Sequence, residues 1–202
     1  MLRLHDNLAS GNGYKARLLL RWLGLPFERL DYDLDAAATR TPEFLALNPN
    51  GRIPLLEYPD GRRLAESNAI LCHLAEGTPW MPADPWDRAQ AMQWLFFEQY
   101  SHEPNIATVR FWITHRTPMT PWLAESLVRK REAGYAALRV MDGHLADRDW
   151  FVGDRATVAD IALFAYTHVA EEGGFDLAPF RAVHHWIDRF QSLPGWTPID
   201  RP

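Results

Sequence analysis

Hydrophobic and polar residues alternate over residues 2–5, which predicts a short, half-buried strand. A polar loop over residues 8–13 follows. Residues 14–23 then carry apolar side chains at helical spacing, so we predict a helix there. Residues 27–34 alternate again and predict a second strand. Together these segments form a β-α-β unit, for which a parallel, right-handed crossover is usual.

Turn and cap residues divide the next part of the chain into four short elements. A Thr-Pro pair at 41–42 predicts the start of a short helix, because proline suits the first helical position after a threonine cap. Two strands, 53–58 and 63–65, are joined by a Pro-Asp-Gly turn. Ser67 is predicted to cap a helix that runs to Ala75. The resulting order, βαβ-α-ββα, is thioredoxin-like.

Three prolines break every periodicity in residues 78–86, and no strand pattern follows them. Four helical segments are predicted beyond this point, the first of them interrupted at Pro104: 89–115, 122–145, 157–170 and 182–190. We therefore predict three parts of the chain: an α/β thioredoxin-like domain over 1–77, a linker over 78–86 and an all-helical domain over 87–202.

Composition narrows the function classes that the chain can serve. Of its 202 residues, 47% are hydrophobic, which is enough for a packed interior. A formal net charge of −5 argues against a nucleic-acid partner, because nucleic-acid binders present a basic face. Cys72 is the single cysteine, so neither an intrachain disulfide nor a thiolate metal cluster can form. The histidines show no spacing typical of metal ligands, and we predict no metal.

The sequence pattern also predicts neither a membrane-spanning segment nor a signal peptide. No apolar run approaches the ~20 residues that span a bilayer. The N-terminus is polar where a signal peptide has its apolar core. We therefore predict a cytoplasmic protein without a membrane partner.

Ser10 lies in a glycine-flanked loop between the first strand and the first helix. A hydroxyl there sits beside a helix N-terminus, where free N–H groups and the helix dipole favour a negative charge such as a thiolate. The other interpretation is that Ser10 or Asn12 simply caps the helix. Both interpretations stay open at this point.

The Ile53-Pro54 pair opens a strand. In a thioredoxin-like order such a proline is a candidate for a cis peptide bond. The N–H and C=O of Ile53 would then be exposed and could pair with an extended peptide as an added strand. The alternative is an ordinary edge-strand proline.

Charged residues surround the same strand ends. Ser67, at a helix start, offers an anion site, and Glu66 beside it could accept an ammonium, so the pair would fit the α-amino acid end of a ligand. The alternative is a plain cap with a solvated glutamate. Arg40 and Arg52 could hold a second carboxylate. Together with Ser10, these residues would fit a ligand that is a small extended peptide with a thiol.

Motifs along nearly the whole chain resemble those of the glutathione transferases. The loop over residues 10–17 resembles the catalytic loop of the serine-type members. The segments 41–44, 48–54 and 66–70 resemble the glutathione-site block of the family, with its spacing intact, and 151–154 and 157–162 resemble its signature in the helical domain.

The resemblance implies an activity and a role for each candidate residue. Glutathione would be a co-substrate whose thiolate attacks a small hydrophobic electrophile held by the helical domain, as in detoxification. Ser10 would donate a hydrogen bond to the sulfur, with Asn12 as an alternative or supporting group. Ile53, before a cis-Pro54, would pair with the cysteinyl backbone.

The same resemblance assigns the two ends of the tripeptide. Glu66 and Ser67 would hold the γ-glutamyl head, and Arg40 and Arg52 the glycyl carboxylate. Arg52 stands where serine-type plant relatives commonly have glutamine. Two alternatives stay open: a specialised glutathione-dependent isomerase, dehalogenase or peroxidase on the same scaffold, and a non-catalytic binding module.

A homodimer is also expected. Family members usually form two-fold dimers, and four consecutive large apolar residues, 94–97, predict a helix that is apolar nearly all round. One intrachain contact covers a single stripe of such a helix, so the rest of its apolar surface requires a partner. Glu98 or His102 would then reach the neighbouring site.

Overall fold

The computed structural model describes residues 1–201, which divide into two compact units. The first unit contains residues 1–78 together with the segment that begins at Pro194, and the second contains residues 79–193. The segment after Pro194, predicted as part of the helical domain, therefore belongs to the first unit.

Four strands form a mixed sheet in the first unit, in the order β2-β1-β3-β4. Their bounds are β1 Leu2–Asp6, β2 Phe27–Asp31, β3 Leu55–Glu57 and β4 Arg63–Ala65. β1 and β2 are parallel, as predicted, and the pairs β1/β3 and β3/β4 are antiparallel. The second and third strands are shorter than their sequence patterns suggested.

Three helices complete the first unit: α1 Gly11–Trp22, α2 Pro42–Leu47 and α3 Ser67–Ala75. α1 begins three residues earlier than predicted, because Ser10 caps it. Thr41 caps α2 as predicted, and the order βαβ-α-ββα with a helical remainder is confirmed. The prediction that Ser67 caps α3 is wrong. Glu66 holds the cap position, and Ser67 is the first helical residue.

Successive residues of β1 face opposite sides of the sheet, and each side meets a different helix. The carboxylate of Asp6 pairs with Arg17 of α1 on one side. His5 points to the other side, where its ring lies 6.1 Å from that of Phe44 in α2. α3 contacts α1. The sheet is therefore covered on both faces.

The segment after Pro194 belongs to the first unit because α1 holds it. Four side chains of α1 donate hydrogen bonds to it: Tyr14 and Arg21 to the carbonyl and hydroxyl oxygens of Thr197 (2.5 and 2.7 Å), Arg17 to Ile199 O (2.9 Å) and Trp22 to Pro194 O (3.0 Å). Such contacts leave no periodic signal in the sequence, which is why the pattern missed them.

Five helices form most of the second unit: α4 Pro85–Phe97, α5 Glu103–Thr114, α6 Pro121–Leu145, α7 Val158–Thr167 and α8 Arg181–Gln191. Asp84 caps α4, so this helix begins inside the segment predicted as a linker. Every residue of α7 is buried, which places this helix at the centre of the unit. Among the helices of residues 1–201, none has both the length and the apolar character to cross a membrane.

The interruption predicted at Pro104 is a π-helical stretch. Residues Glu98–His102 form it between α4 and α5, and Pro104 lies in the first turn of α5. Proline lacks an N–H group, and its ring collides with the carbonyl of the preceding turn. The wider π turn accommodates this defect without ending the helix.

A capping box opens α7. The Thr157 hydroxyl accepts from the N–H of Ala159 at 3.2 Å, and the Asp160 carboxylate accepts from the N–H of Thr157 at 2.9 Å. The same carboxylate accepts from the Phe151 N–H and the Trp186 indole at 3.2 and 3.0 Å. Burial raises the pKa of Asp160 to about 6, although these hydrogen bonds act in the opposite direction. The box therefore also joins α7 to α8.

Thr157→Ala is expected to lower the free energy of unfolding by about 0.5–2 kcal/mol, because it leaves the first turn of α7 without its cap. Thr157→Ser keeps the hydroxyl and serves as the control, with a smaller loss. Thermal unfolding measures both. An unchanged melting temperature for Thr157→Ala would contradict the role of the cap.

Candidate active site

The register of the sheet brings the predicted site segments to one edge. In β3, Leu55 pairs with His5 of β1 on one side and with Ala65 of β4 on the other. The residues just before β3 therefore lie beside those that follow β1 and β4. These three segments contain Ser10 with Asn12, Ile53 with Pro54, and Glu66 with Ser67.

Ser10 serves as the N-cap of α1, and its hydroxyl oxygen accepts from the N–H of Gly13 at 3.3 Å. The side chain is half-buried. A cap uses a lone pair of the oxygen and leaves the hydroxyl proton available for another acceptor. Capping and donation to a thiolate, which the sequence presented as alternatives, are therefore compatible.

A buried ion pair beneath this loop was missed by the sequence analysis. The Arg17 guanidinium pairs with the Asp6 carboxylate, and both side chains are fully buried. Arg17 also donates to Leu8 O at 2.8 Å and so fixes the approach to Ser10. A Cβ atom at position 13 would lie 1.5 Å from Asp6 Oδ1, so only glycine fits there. Burial raises the pKa of Asp6, and Arg17 opposes that rise.

The peptide bond between Ile53 and Pro54 is cis. Ile53 is half-buried and lies just outside β3. Within residues 1–201, neither its N–H nor its C=O has a hydrogen-bond partner. Both groups are therefore available to an extended ligand.

Glu66 adopts a left-handed backbone conformation, with φ of 68°, and its side chain is exposed and makes no cap. Such a conformation costs a non-glycine residue about 1–3 kcal/mol and is concentrated at functional sites. The next residue, Ser67, is 5% exposed and donates from its hydroxyl to Asn12 Oδ1 at 3.0 Å. The two predicted site segments are thus in direct contact.

Lys15 adjoins this contact and was also missed. It is fully buried, and its ammonium donates to Asn12 Oδ1 at 2.9 Å and to Ser67 Oγ at 3.3 Å. A further bond reaches Asn68 Oδ1 at 3.3 Å. The only sequence signal was a lysine one turn after the loop.

Arg40 crosses the loop that precedes β3. Its guanidinium donates to Asn50 O at 3.0 Å, over Gly51, where a Cβ atom would lie 2.5 Å from Arg40 Nη1. Arg52 follows in the same loop, and both arginines are exposed. Arg52 therefore directly precedes Ile53 in the chain, and the Arg40 guanidinium contacts the same loop through Asn50. Among residues 1–201 there is no group of three or more His, Cys, Asp or Glu side chains arranged for a metal ion.

Two family models match the chain. The model of the glutathione S-transferase N-terminal domain matches residues 1–76, and that of the C-terminal domain matches residues 111–194. A crystal structure of a glutathione S-transferase from Xanthobacter autotrophicus Py2 is 47% identical, with a TM-score of 0.93 over 98% of this chain and 97% of that one. Ure2p in complex with glutathione is 28% identical, with a TM-score of 0.86 over 96% and 95%.

Other named proteins are also similar to this chain. The disulfide-bond oxidoreductase YfcG of Escherichia coli is 30% identical over 91% of this chain and 87% of its own length. The protein URE2 of Eremothecium gossypii is 27% identical over 95% of this chain. The chain spans 65% of the length of that URE2 protein.

Proposed function

The chain belongs to the glutathione S-transferase family, and we propose that it catalyses attack of the glutathione thiolate on small hydrophobic electrophiles. One observation carries the proposal: a single sheet edge combines the Ser10 hydroxyl at a helix N-terminus with the unpaired backbone of Ile53. The first group suits a thiolate, and the second suits the peptide that carries it.

The chemistry requires a lower thiol pKa. A free cysteine thiol has a pKa of about 8.5, so only a few per cent is thiolate at pH 7. Lowering that pKa by about two units takes roughly 2.7 kcal/mol of preference for the anion. A hydrogen bond to an ion supplies about 1.5–3 kcal/mol, and a helix N-terminus about 0.3–1 kcal/mol. The Ser10 hydroxyl and the N-terminus of α1 together are sufficient to lower the thiol pKa by this amount.

The rest of the tripeptide would be held along the same edge. Ile53 would pair with the cysteinyl backbone as an added strand. Glu66 and Ser67 would take the γ-glutamyl ammonium and carboxylate, and Arg40 and Arg52 the glycyl carboxylate. The similar protein Ure2p has been solved in complex with glutathione, which supports glutathione as the ligand.

Glutathione is expected to bind with a dissociation constant below millimolar, and calorimetric titration measures it. Arg40→Ala should weaken binding, because the glycyl carboxylate loses a cation. Arg62→Ala is the matched control: Arg62 is equally a loop arginine of the first unit, but it pairs with exposed Asp60 in the β3–β4 turn. Absence of binding at millimolar glutathione would overturn the proposed function.

A second candidate function is suggested by the similarity to a disulfide-bond oxidoreductase. Cys72 is the chain's single cysteine, so two glutathione molecules would supply the electrons. One disulfide and two thiols would then give two thiols and glutathione disulfide. Parallel assays with an electrophile panel and a small disulfide separate the two reactions. The isomerase, dehalogenase and peroxidase alternatives and the binding module, like the cytoplasmic location and the role in detoxification, stay predictions.

We also propose a homodimer formed through the helical unit. Large apolar side chains on or just after α4 stay exposed: Trp86 at 71%, Phe96 at 66% and Tyr100 at 87%. Sedimentation at micromolar concentration should show a species of twice 23.2 kDa. A 23.2 kDa monomer would contradict the proposal.

One detail of the predicted dimer is wrong. Glu98 and His102, expected to reach the neighbouring site, are both fully buried within their own unit. His102 Nε2 lies 2.9 Å from the Thr167 hydroxyl. A side chain without exposed surface cannot contact a second copy.

A further inference from the structure

Lys15 connects the first turn of α3 with the loop of Ser10 and Asn12. Its ammonium is fully buried and lies within hydrogen-bond distance of Ser67 and Asn68, the first two residues of α3. The N-terminus of a helix is the positive end of its dipole, which destabilises a nearby cation and stabilises an anion. An anion at this helix end would interact favourably with both the dipole of α3 and the Lys15 ammonium.

The hydrogen bonds suggest how such an anion would be linked to the loop of Ser10. Asn12 Oδ1 accepts two hydrogen bonds, one from the Ser67 hydroxyl and one from Lys15. A serine hydroxyl has a single proton. If a carboxylate accepts the hydrogen bond of the Ser67 hydroxyl, Asn12 loses that donor. The Lys15 ammonium has three N–H donors and keeps its hydrogen bond to Asn12 Oδ1.

We propose that Lys15 is a positioning residue that couples the α-carboxylate of the γ-glutamyl head to the Ser10–Asn12 loop. This inference rests on the proposed function. When the carboxylate binds Ser67, the positive charge of Lys15 lies beside it and stabilises it. The hydrogen bond from Lys15 to Asn12 keeps the first turn of α1 in place. Recognition of the head and orientation of the thiol-activating loop are thereby linked through one side chain.

Wild-type protein offers a direct test, because Lys15 and Lys130 are its only lysines. Protein with isotope-labelled lysine side chains gives two ammonium-group signals by NMR. Lys130 donates to Pro104 O in the helical unit and is the internal control. Glutathione should shift the Lys15 signal and leave the Lys130 signal in place, and cysteinylglycine, which lacks the γ-glutamyl head, should shift neither. The inference is overturned if the Lys15 signal does not shift with glutathione, or if it shifts equally with glutathione and with cysteinylglycine.

Substitutions separate charge from packing. Lys15→Gln keeps an N–H donor for Asn12 but removes the charge, and Lys15→Arg keeps the charge. Lys15→Gln should weaken glutathione binding by about 10- to 100-fold, with cysteinylglycine binding unchanged. Lys15→Arg should restore most of the affinity, and the pH at which bound glutathione ionises should rise in Lys15→Gln.

The two proposals fail in distinguishable ways. If the wild type does not bind glutathione, the proposed function fails. If the wild type binds and Lys15→Gln binds equally well, or loses affinity for both peptides alike, only the role of Lys15 fails. The NMR measurement decides the question even where the variants do not fold.

Discussion

Arg17→Met is expected to lower the free energy of unfolding by about 3–5 kcal/mol. The substitution preserves much of the side-chain volume but removes the cation from a fully buried pair, so the Asp6 carboxylate stays uncompensated. Burial already raises the pKa of Asp6, and loss of Arg17 raises it further. The carboxyl is neutral below its folded pKa, so the stability deficit should shrink as the pH falls towards about 3.9. Denaturant unfolding at several pH values measures the effect.

Two further variants test whether the loss of stability in Arg17→Met comes from the buried, unpaired Asp6 carboxylate. Arg62→Met removes a cation from an exposed pair and should leave the free energy of unfolding nearly unchanged, because solvent screens such pairs. The double variant Arg17→Met with Asp6→Asn removes both charges and should recover part of the loss. A deficit for Arg17→Met that is small and independent of pH would contradict the role of the pair.

Ser10→Ala is expected to reduce turnover with glutathione and an electrophile by about 10- to 1,000-fold, because the developing thiolate loses a hydrogen-bond donor. Since Ser10 also caps α1, the same change should lower the free energy of unfolding by about 0.5–2 kcal/mol. The pH profile of turnover should shift upwards, because less thiolate forms at a given pH.

Thr41→Ala separates the two effects of losing a hydroxyl. Thr41 caps α2 in the same unit, and its hydroxyl accepts from the N–H of Phe44 at 3.3 Å. Its loss should cost similar stability without the loss of turnover. Equal activity of Ser10→Ala and the wild type would move thiol activation to Asn12 or to the backbone of α1.

Local sequence signals predicted the elements but not their connections through space. Alternation marked β1, and the Thr41-Pro42 pair marked the start of α2, because both signals arise within a few residues. Ser67 was misplaced by one position, since the left-handed conformation of Glu66 depends on its surroundings rather than on residue type. The capping box of Thr157 and Asp160 is also a local feature, because its partners are three residues apart.

The site shows the same division. Its loops were predicted from glycines, prolines and charged residues, and the register of β3 explains why they meet. The groups that support the loops gave no local signal. Asp6 and Arg17 lie eleven residues apart, and Lys15 and Ser67 fifty-two, in segments that the sequence pattern treats as independent. Buried polar networks of this kind become visible only with coordinates.

The hydrogen bonds from α1 to the segment after Pro194 have a consequence for the order of events during synthesis. Domains generally fold as units while the chain emerges from the ribosome, the N-terminal one first. Here the carbonyls of Thr197 and Ile199 that accept from Tyr14 and Arg17 are made more than a hundred residues after their donors. The β-α-β unit can form early, but its first helix waits for these partners until the helical unit has been translated. A ribosome-stalled chain that stops before Pro194 should accordingly be cleaved by protease within the first unit more readily than the released protein.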